Sequence, residues 1–314
     1  MIAFIDTEVG LDTKCTMDYG AIRDDGAQIH SRSLSEFSLF IKDCGFVCGH
    51  NIIHHDLQYL HIPQQIHTID TLYLSPLLFP QRPYHRLVKD DKLQVDELNN
   101  PLNDAIKARD LFYDELAAWK RLPERRRTIY YLLLHNVAEF KAFFEYTDIN
   151  ISFPFSWVVA DIIKQEYKGY ICSNANVAAV AAKYPVELAF ALSIIGVGDP
   201  GSITPPWVVH TYPKVANVIH LLCGTPCDGC EYCNKRLDAH VALKEFFGYK
   251  EFRLFDGIPM QQQAVESAIR NESLLCIFPT GGGKSLTFQL PALLSGRNER
   301  GLTVVISPLQ SLMK

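Results

Sequence analysis

The sequence predicts a soluble α/β protein with a mainly helical middle. Three observations carry that expectation. Residues 1–118 alternate short apolar strands with helically spaced stretches, residues 128–222 keep helical spacing almost throughout, and residues 240–314 return to a strand, loop and helix order. The chain has 314 residues, 30 Lys plus Arg against 35 Asp plus Glu, and a net charge of −5, with 48% apolar and 21% charged residues. This balance excludes a disordered, collagen-like or disulfide-scaffold chain. The net charge does not announce a nucleic-acid binder, so that case rests on motifs. The most apolar stretch, residues 177–197, is broken by Lys183, Pro185 and Glu187, short of the roughly 20 apolar residues of a membrane span. Asp6 and Glu8 stand where a signal peptide needs a basic start and an apolar core. Export is therefore not expected, and a reducing cytoplasmic location is.

In order, strands are expected at Ile2–Ile5, Cys15–Arg23 and Gln28–Ser31, with the Asp24-Asp25-Gly26 turn closing a hairpin. A helix follows over Ser35–Lys42, a strand over Phe46–Cys48 and a polar turn at Gly49-His50-Asn51. A long helix runs from about Leu102 to Trp119 on an apolar stripe of Ile106, Leu111, Phe112, Leu116 and Ala117. The basic, proline-containing stretch from Lys120 to Arg127 marks a domain boundary, its charges either solvated at a helix end or touching nucleic-acid phosphate. Helices are expected over Thr128–Phe144, Trp157–Tyr167, Asn174–Lys183 and Pro185–Ile195. The expected domains are 1–118, a helical connector at 119–222, a cysteine knot at 223–239 and a nucleotide-binding lobe at 240–314.

Asp6 and Glu8 lie two apart on a strand, so both point to one face. Asp56 opens a helix after the His50-Asn51 turn, and Asp104 sits in the first turn of the long helix. Four acids on these elements are the oxygen ligands that two hard divalent cations need, and such a pair stabilises the attacking and leaving oxygens of an in-line phosphoryl displacement. On Phe-Ile-Asp6-Thr-Glu8, His50-Asn51 with Asp56, and Asn-Pro-Leu-Asn-Asp104-Ala, residues 1 to about 118 resemble the DnaQ-like, or DEDD, 3′–5′ exonucleases. The resemblance implies an RNase H-like fold, a site for two Mg²⁺ or Mn²⁺ ions, and action on 3′-ended or single-stranded DNA. It makes Asp6 the bridging acid, Glu8 and Asp104 ligands of the nucleophile-side metal, and Asp56 a ligand of the other metal through water. The family's histidine or tyrosine base would fall at Asn99 or Asn100, neither of which takes a proton from water near neutral pH. His85 is the candidate substitute. His50 and His54 lie four apart but in a loop that puts them on no single helix face, no His-Glu-x-x-His motif occurs, and His50, His54, His55, His61 and His67 are not read as a metal site.

The nine cysteines are an odd number, and Cys223, Cys227, Cys230 and Cys233 fall within eleven residues with Gly224, Pro226 and Gly229 among them. In a reducing compartment such crowding predicts a metal site, either Zn²⁺ or an iron–sulfur cluster. The other five, Cys172 included, read as apolar core residues.

Residues 274–278 form a buried-type strand, 279–285 the loop Pro-Thr280-Gly281-Gly282-Gly283-Lys284-Ser285, and 286–294 a helix start. Backbone N–H groups turned inward by the glycines would cradle phosphate, with Lys284 on the β/γ-phosphates and Ser285 on Mg²⁺. Phe-Phe-Gly-Tyr at 246–249, Arg253, Gln261, the loop through Gln289 and Pro291, and Val-Val-Ile-Ser307-Pro-Leu together resemble the opening of a RecQ-family DNA helicase over about 240–314. The resemblance implies a RecA-like lobe that binds ATP with Mg²⁺, Arg253 and Gln261 near the adenine, and Ser307 on the DNA backbone. The acid pair that positions water for ATP hydrolysis, a second lobe and its arginine finger are not found, so no unwinding is expected from these residues alone. The sequence thus reads as the N-terminal part of a longer exonuclease–helicase, with a non-catalytic DNA- and ATP-binding module as the alternative. Strands at 274–278 and 303–308 are expected to form a small sheet with an unpaired edge.

Overall fold

The computed structural model describes residues 1–9, 16–87, 100–148, 158–197 and 203–306. It divides into two compact units, Met1–Ser156 and Trp157–Lys314.

The first unit is built on a five-stranded mixed sheet: β1 (Ile2–Val9), β2 (Thr16–Arg23), β3 (Gln28–Ser31), β4 (Phe46–Gly49) and β5 (His67–Asp70), in the order β3-β2-β1-β4-β5. β1 pairs antiparallel with β2 and parallel with β4, and β4 pairs parallel with β5. The run Ile2-Ala3-Phe4-Ile5 is apolar without alternation because the central strand is covered on both faces. Ala3 and Ile5 pack with Phe37 and Ile41 of α1 (Leu34–Ile41). Phe4 faces α3 (Pro101–Arg121), its ring 5.7 Å from that of Phe112. α3 buries Ala105, Ala108, Phe112, Glu115 and Trp119, spaced three and four apart as a helix stripe requires. Each buried aromatic of this kind contributes about 1.5–3 kcal/mol.

α2 (Thr71–Leu78) is buried at every residue. α4 (Glu124–Leu134) and α5 (Ala138–Tyr146) complete the unit. α5 reaches the sheet through Tyr146, 5.3 Å from Phe46, and Glu145, 2.8 Å from His67 Nδ1. The expected boundary at 120–127 therefore falls inside the first unit. α3 runs through Arg121, and the Trp119 ring packs 5.6 Å from Phe143 and 5.6 Å from Phe144 beyond the basic stretch. The helix expected over Thr128–Phe144 is two helices, because Val137 leaves the helical conformation with ψ 128 before α5 starts.

The second unit is helical: α6 (Val158–Glu166), α7 (Val177–Lys183), α8 (Pro185–Ile195), α9 (Pro206–Thr211), α10 (Val215–Ile219), α11 (Glu231–Arg236), α12 (Ala239–Phe247), α13 (Met260–Ile269) and α14 (Lys284–Glu299). A single π turn, His220–Gly224, follows α10. Leu243, Val265, Leu290 and Leu294 close a core between α12, α13 and α14. The strands expected at 274–278 and 303–308 do not form among the described residues. Leu275, Ile277, Leu302, Val304 and Ile306 lie with more than 70% of their surface exposed, since a buried-type strand is held only by neighbours to pair with.

Candidate functional site

Side-chain parity in β1 builds the first candidate site. Asp6 and Glu8 share the face of Phe4, toward α3, and Thr7 takes the opposite face. α3 begins at Asn100, whose side-chain oxygen accepts the Leu102 N–H at 3.0 Å, with Pro101 in the first turn. Asp104 follows in that turn, and the ligating oxygens of Asp6, Glu8 and Asp104 lie within 4.8 Å of one another. Lys107 Nζ stands 3.8 Å from Asp104. Three carboxylates at this separation repel unless a cation lies among them, and an all-oxygen donor set suits a hard divalent ion.

The helix end reaches the sheet through Gly20, which pairs across from Asp6. A Cβ on Gly20 would lie 2.1 Å from the Leu102 nitrogen and 2.2 Å from the Pro101 carbonyl carbon. Glycine is what lets α3 approach closely enough to deliver Asp104.

Asp56 is not part of the acid trio. It lies buried in a short 3₁₀ turn, Asp56–Gln58, where Oδ1 accepts the Thr7 hydroxyl at 2.7 Å. It therefore backs the strand segment that carries the trio. His85 does not join the acids either. It is buried, with Nδ1 2.8 Å from Ser75 Oγ, and burial and then the Arg82 charge push its pKa down to about 4. Asn99 lies outside the described residues, and Asn100 is occupied in capping α3.

Asp70, not among the candidate site residues expected from the sequence, caps α2. Its carboxylate accepts N–H groups of Asn51 (2.8 Å), Ile53 (3.1 Å) and Leu72 (2.9 Å). Burial raises its pKa to about 6 despite those donors. An Asp at a strand end just before an apolar helix is a readable capping signal. The histidines around it are individually engaged, His50 with Thr71 at 2.9 Å and His54 with Tyr73 at 2.7 Å.

The cysteines regroup. Cys227, Cys230 and Cys233 converge with Cys172, their sulfurs all within 4.8 Å of one another. Cys223, expected in the set, points instead to the Tyr170 carbonyl oxygen at 3.4 Å and is fully buried. The π turn that carries Cys223 also brings the Leu222 carbonyl to the Cys172 N–H at 2.8 Å, so the neighbouring chain segments, not the sequence crowding, select the fourth sulfur. Nothing local to Cys172 announces this.

The glycine loop opens α14. Gly281 and Gly283 adopt φ of 76° and 75°, a left-handed backbone that favours glycine. A Cβ on Gly282 would stand 2.9 Å from the Pro279 oxygen. Arg253 Nη1 donates to the Gly281 carbonyl at 2.8 Å. Gln261, buried, accepts the Arg253 N–H at 3.0 Å and donates to the Gly283 carbonyl at 3.1 Å. Both residues thus hold the loop, while Thr280, Lys284 and Ser285 are exposed. No side chain caps α14; the Leu286 N–H donates to the Gly283 carbonyl at 3.2 Å, and the N–H groups of Lys284 and Ser285 before it are placed to face an anion. Ser307 lies outside the described residues.

Residues 258–314 match the DEAD/DEAH box helicase family. The C-terminal part of this chain is related to RecQ-family helicases. It is 44% identical over 72 residues to the "ATP-dependent DNA helicase hus2/rqh1" of Schizosaccharomyces pombe, covering 23% of this chain and 5% of that protein. It is 42% identical over 79 residues to the "ATP-dependent DNA helicase RecQ" of Synechocystis, covering 25% and 15%, and 46% identical over 76 residues to that of Bacillus subtilis, covering 24% and 12%. The chain therefore spans a small fraction of these relatives' length. No solved structure matches it. Among the described residues no helix is long and apolar enough to cross a membrane.

Proposed function

We propose that this chain is part of a nuclease–helicase acting on DNA, in which the second unit binds ATP and the first hydrolyses phosphodiester bonds at 3′ ends. The observation that carries the first half is the loop at 280–285. Two left-handed glycines, a helix start without a side-chain cap, and Lys284 and Ser285 facing solvent are the features a phosphate cradle would need, and this stretch lies within the residues matched to helicases. Lys284 would bind the β/γ-phosphates and Ser285 would ligate Mg²⁺, while Arg253 and Gln261 fix the loop's shape from behind.

The nuclease half is supported by the meeting of Asp6, Glu8 and Asp104, a donor set that fits Mg²⁺ or Mn²⁺. Bound there, a pair of such ions would stabilise the attacking and leaving oxygens of a phosphodiester. The chain's own contribution is position. Gly20 admits the start of α3, Asn100 caps it, and Asp56 holds Thr7 between the two strand acids.

A second reading, a nuclease fold that serves only to bind DNA, is favoured by one observation. Asn100 is spent on capping and His85 on Ser75, so neither supplies a general base. The test is a single-stranded DNA labelled at its 5′ end, incubated with the chain and Mn²⁺ or Mg²⁺ beside an Asp6→Ala/Asp104→Ala control. A ladder shrinking from the 3′ end only with the unaltered chain is expected. Intact DNA with either metal, from a folded protein that binds it, would move the reading to the binding module.

A further inference from the structure

We propose that Cys172, Cys227, Cys230 and Cys233 are the four ligands of one tetrahedral zinc ion, with Cys223 outside the site, and that this ion clasps the turn after α6 to the loop before α11. The argument starts from separation. Four thiolates each about 2.3 Å from a single ion stand about 3.8 Å from one another. Cys172 Sγ lies 3.4 Å from Cys227 Sγ and 3.8 Å from Cys230 Sγ, and no pair in the group exceeds 4.8 Å. These separations are too long for a disulfide, whose sulfurs are bonded at about 2.05 Å. They are too short for a four-iron cube, in which each thiolate binds a different iron and the sulfurs stand apart by the added width of the cluster. A two-iron cluster would split the four into two distant pairs, which a uniformly compact group does not show.

The surroundings are those of thiolates. Cys230 Sγ accepts the Cys233 N–H at 3.2 Å at the start of α11, and Cys227 Sγ accepts Asn174 Nδ2 at 3.3 Å. N–H groups aimed at sulfur stabilise the charged ligand and fix its orientation. Gly229, with φ of 84°, makes the turn that lets Cys227 and Cys230 face the same point. On binding, each thiol releases its proton to solvent. Cys172 reaches the site from 55 positions before Cys227, so the ion closes a long loop and its free energy of binding is free energy of folding for this unit.

The experiment uses the whole chain purified under inert gas without chelator, with zinc, iron and acid-labile sulfide measured per chain. One zinc, with neither iron nor sulfide in stoichiometric amount, is expected. Cys223→Ser should keep the zinc and Cys172→Ser should lose it. Because Cys172→Ser also removes the folding free energy that the ion supplies, Cys172→His gives a second arm. It retains a donor at that position and should bind Co²⁺ with weaker thiolate charge-transfer absorption than the unaltered chain, whereas Cys223→Ser should give the unaltered spectrum. Iron with labile sulfide, loss of zinc in Cys223→Ser, full zinc in Cys172→Ser, an unchanged Co²⁺ spectrum in Cys172→His, or a metal-free native chain would each overturn the proposal. None of these readouts depends on nuclease or ATP-binding activity.

Discussion

Replacing Gly20 with alanine tests whether the acid trio depends on the close approach of α3 to the sheet. The new Cβ would stand 2.1 Å from the Leu102 nitrogen, where 3.4 Å is the short end of ordinary contact, so the helix end must retreat by 3.4 − 2.1 = 1.3 Å. The three nearest atoms all belong to the backbone of Pro101 or Leu102, so no rotamer change relieves the clash. Overpacking of this kind costs about 1–3 kcal/mol, which for a unit of this size lowers Tm by roughly 2–4 °C per kcal/mol. The same retreat carries Asp104 away from Asp6 and Glu8. Since metal–oxygen bonds span only about 2.0–2.6 Å, a displacement of this size removes one carboxylate from the set. Mn²⁺ affinity should fall at least about tenfold, equivalent to about 1.4 kcal/mol. Thermal unfolding with and without Mn²⁺, together with calorimetric titration of Mn²⁺, measures both effects. A Gly20→Ala chain with unaltered Tm and Mn²⁺ affinity would refute the reasoning.

Three further outcomes are expected. Glu115 is fully buried with no hydrogen-bond partner for either oxygen, and burial, then the Asp70 charge, holds its carboxyl well above the usual range. Its contribution is therefore present below the unfolded pKa near 4.5 and lost as pH rises, so Glu115→Gln should raise Tm more at pH 8 than at pH 5, and an equal or opposite change would contradict the assignment. His220 is bonded to Glu299 at 2.9 Å, which raises its pKa from 6.5 although burial opposes the shift. Stability from this pair is complete below 6.5 and declines as pH climbs through the raised value, and melting curves across that window should flatten in His220→Gln. Lys284→Ala should weaken binding of a fluorescent ATP analogue at least about tenfold while Tm without nucleotide stays within about 1 °C, because Lys284 is exposed. Unchanged affinity would remove the phosphate-cradle reading.

Much of the first unit was legible because its signals are local. The Asp24-Asp25-Gly26 turn, the period-two placement of Asp6 and Glu8, and the Asn-Pro start of α3 each act within a few residues. The same is true of the glycines at 281 and 283, whose conformation only glycine adopts cheaply. The extent of the first unit was not legible, because the basic stretch at 120–127 resembles a linker by composition while Trp119 and Phe143 join across it by packing.

Residue type and spacing already tell which side chains are able to ligate a metal or a phosphate and on which face of their own element they lie. Which of them meet is set by the packing of elements far apart in the chain. Asp104 meets Asp6 and Glu8 because Gly20 leaves room for the start of α3, and Asp56 is withheld from them by Thr7. Cys172 displaces Cys223 because the π turn at 220–224 aims the nearer cysteine at Tyr170 while its backbone hydrogen bond draws in the distant one. Periodicity fixes direction along one element, whereas convergence depends on the distance between elements, which packing alone sets.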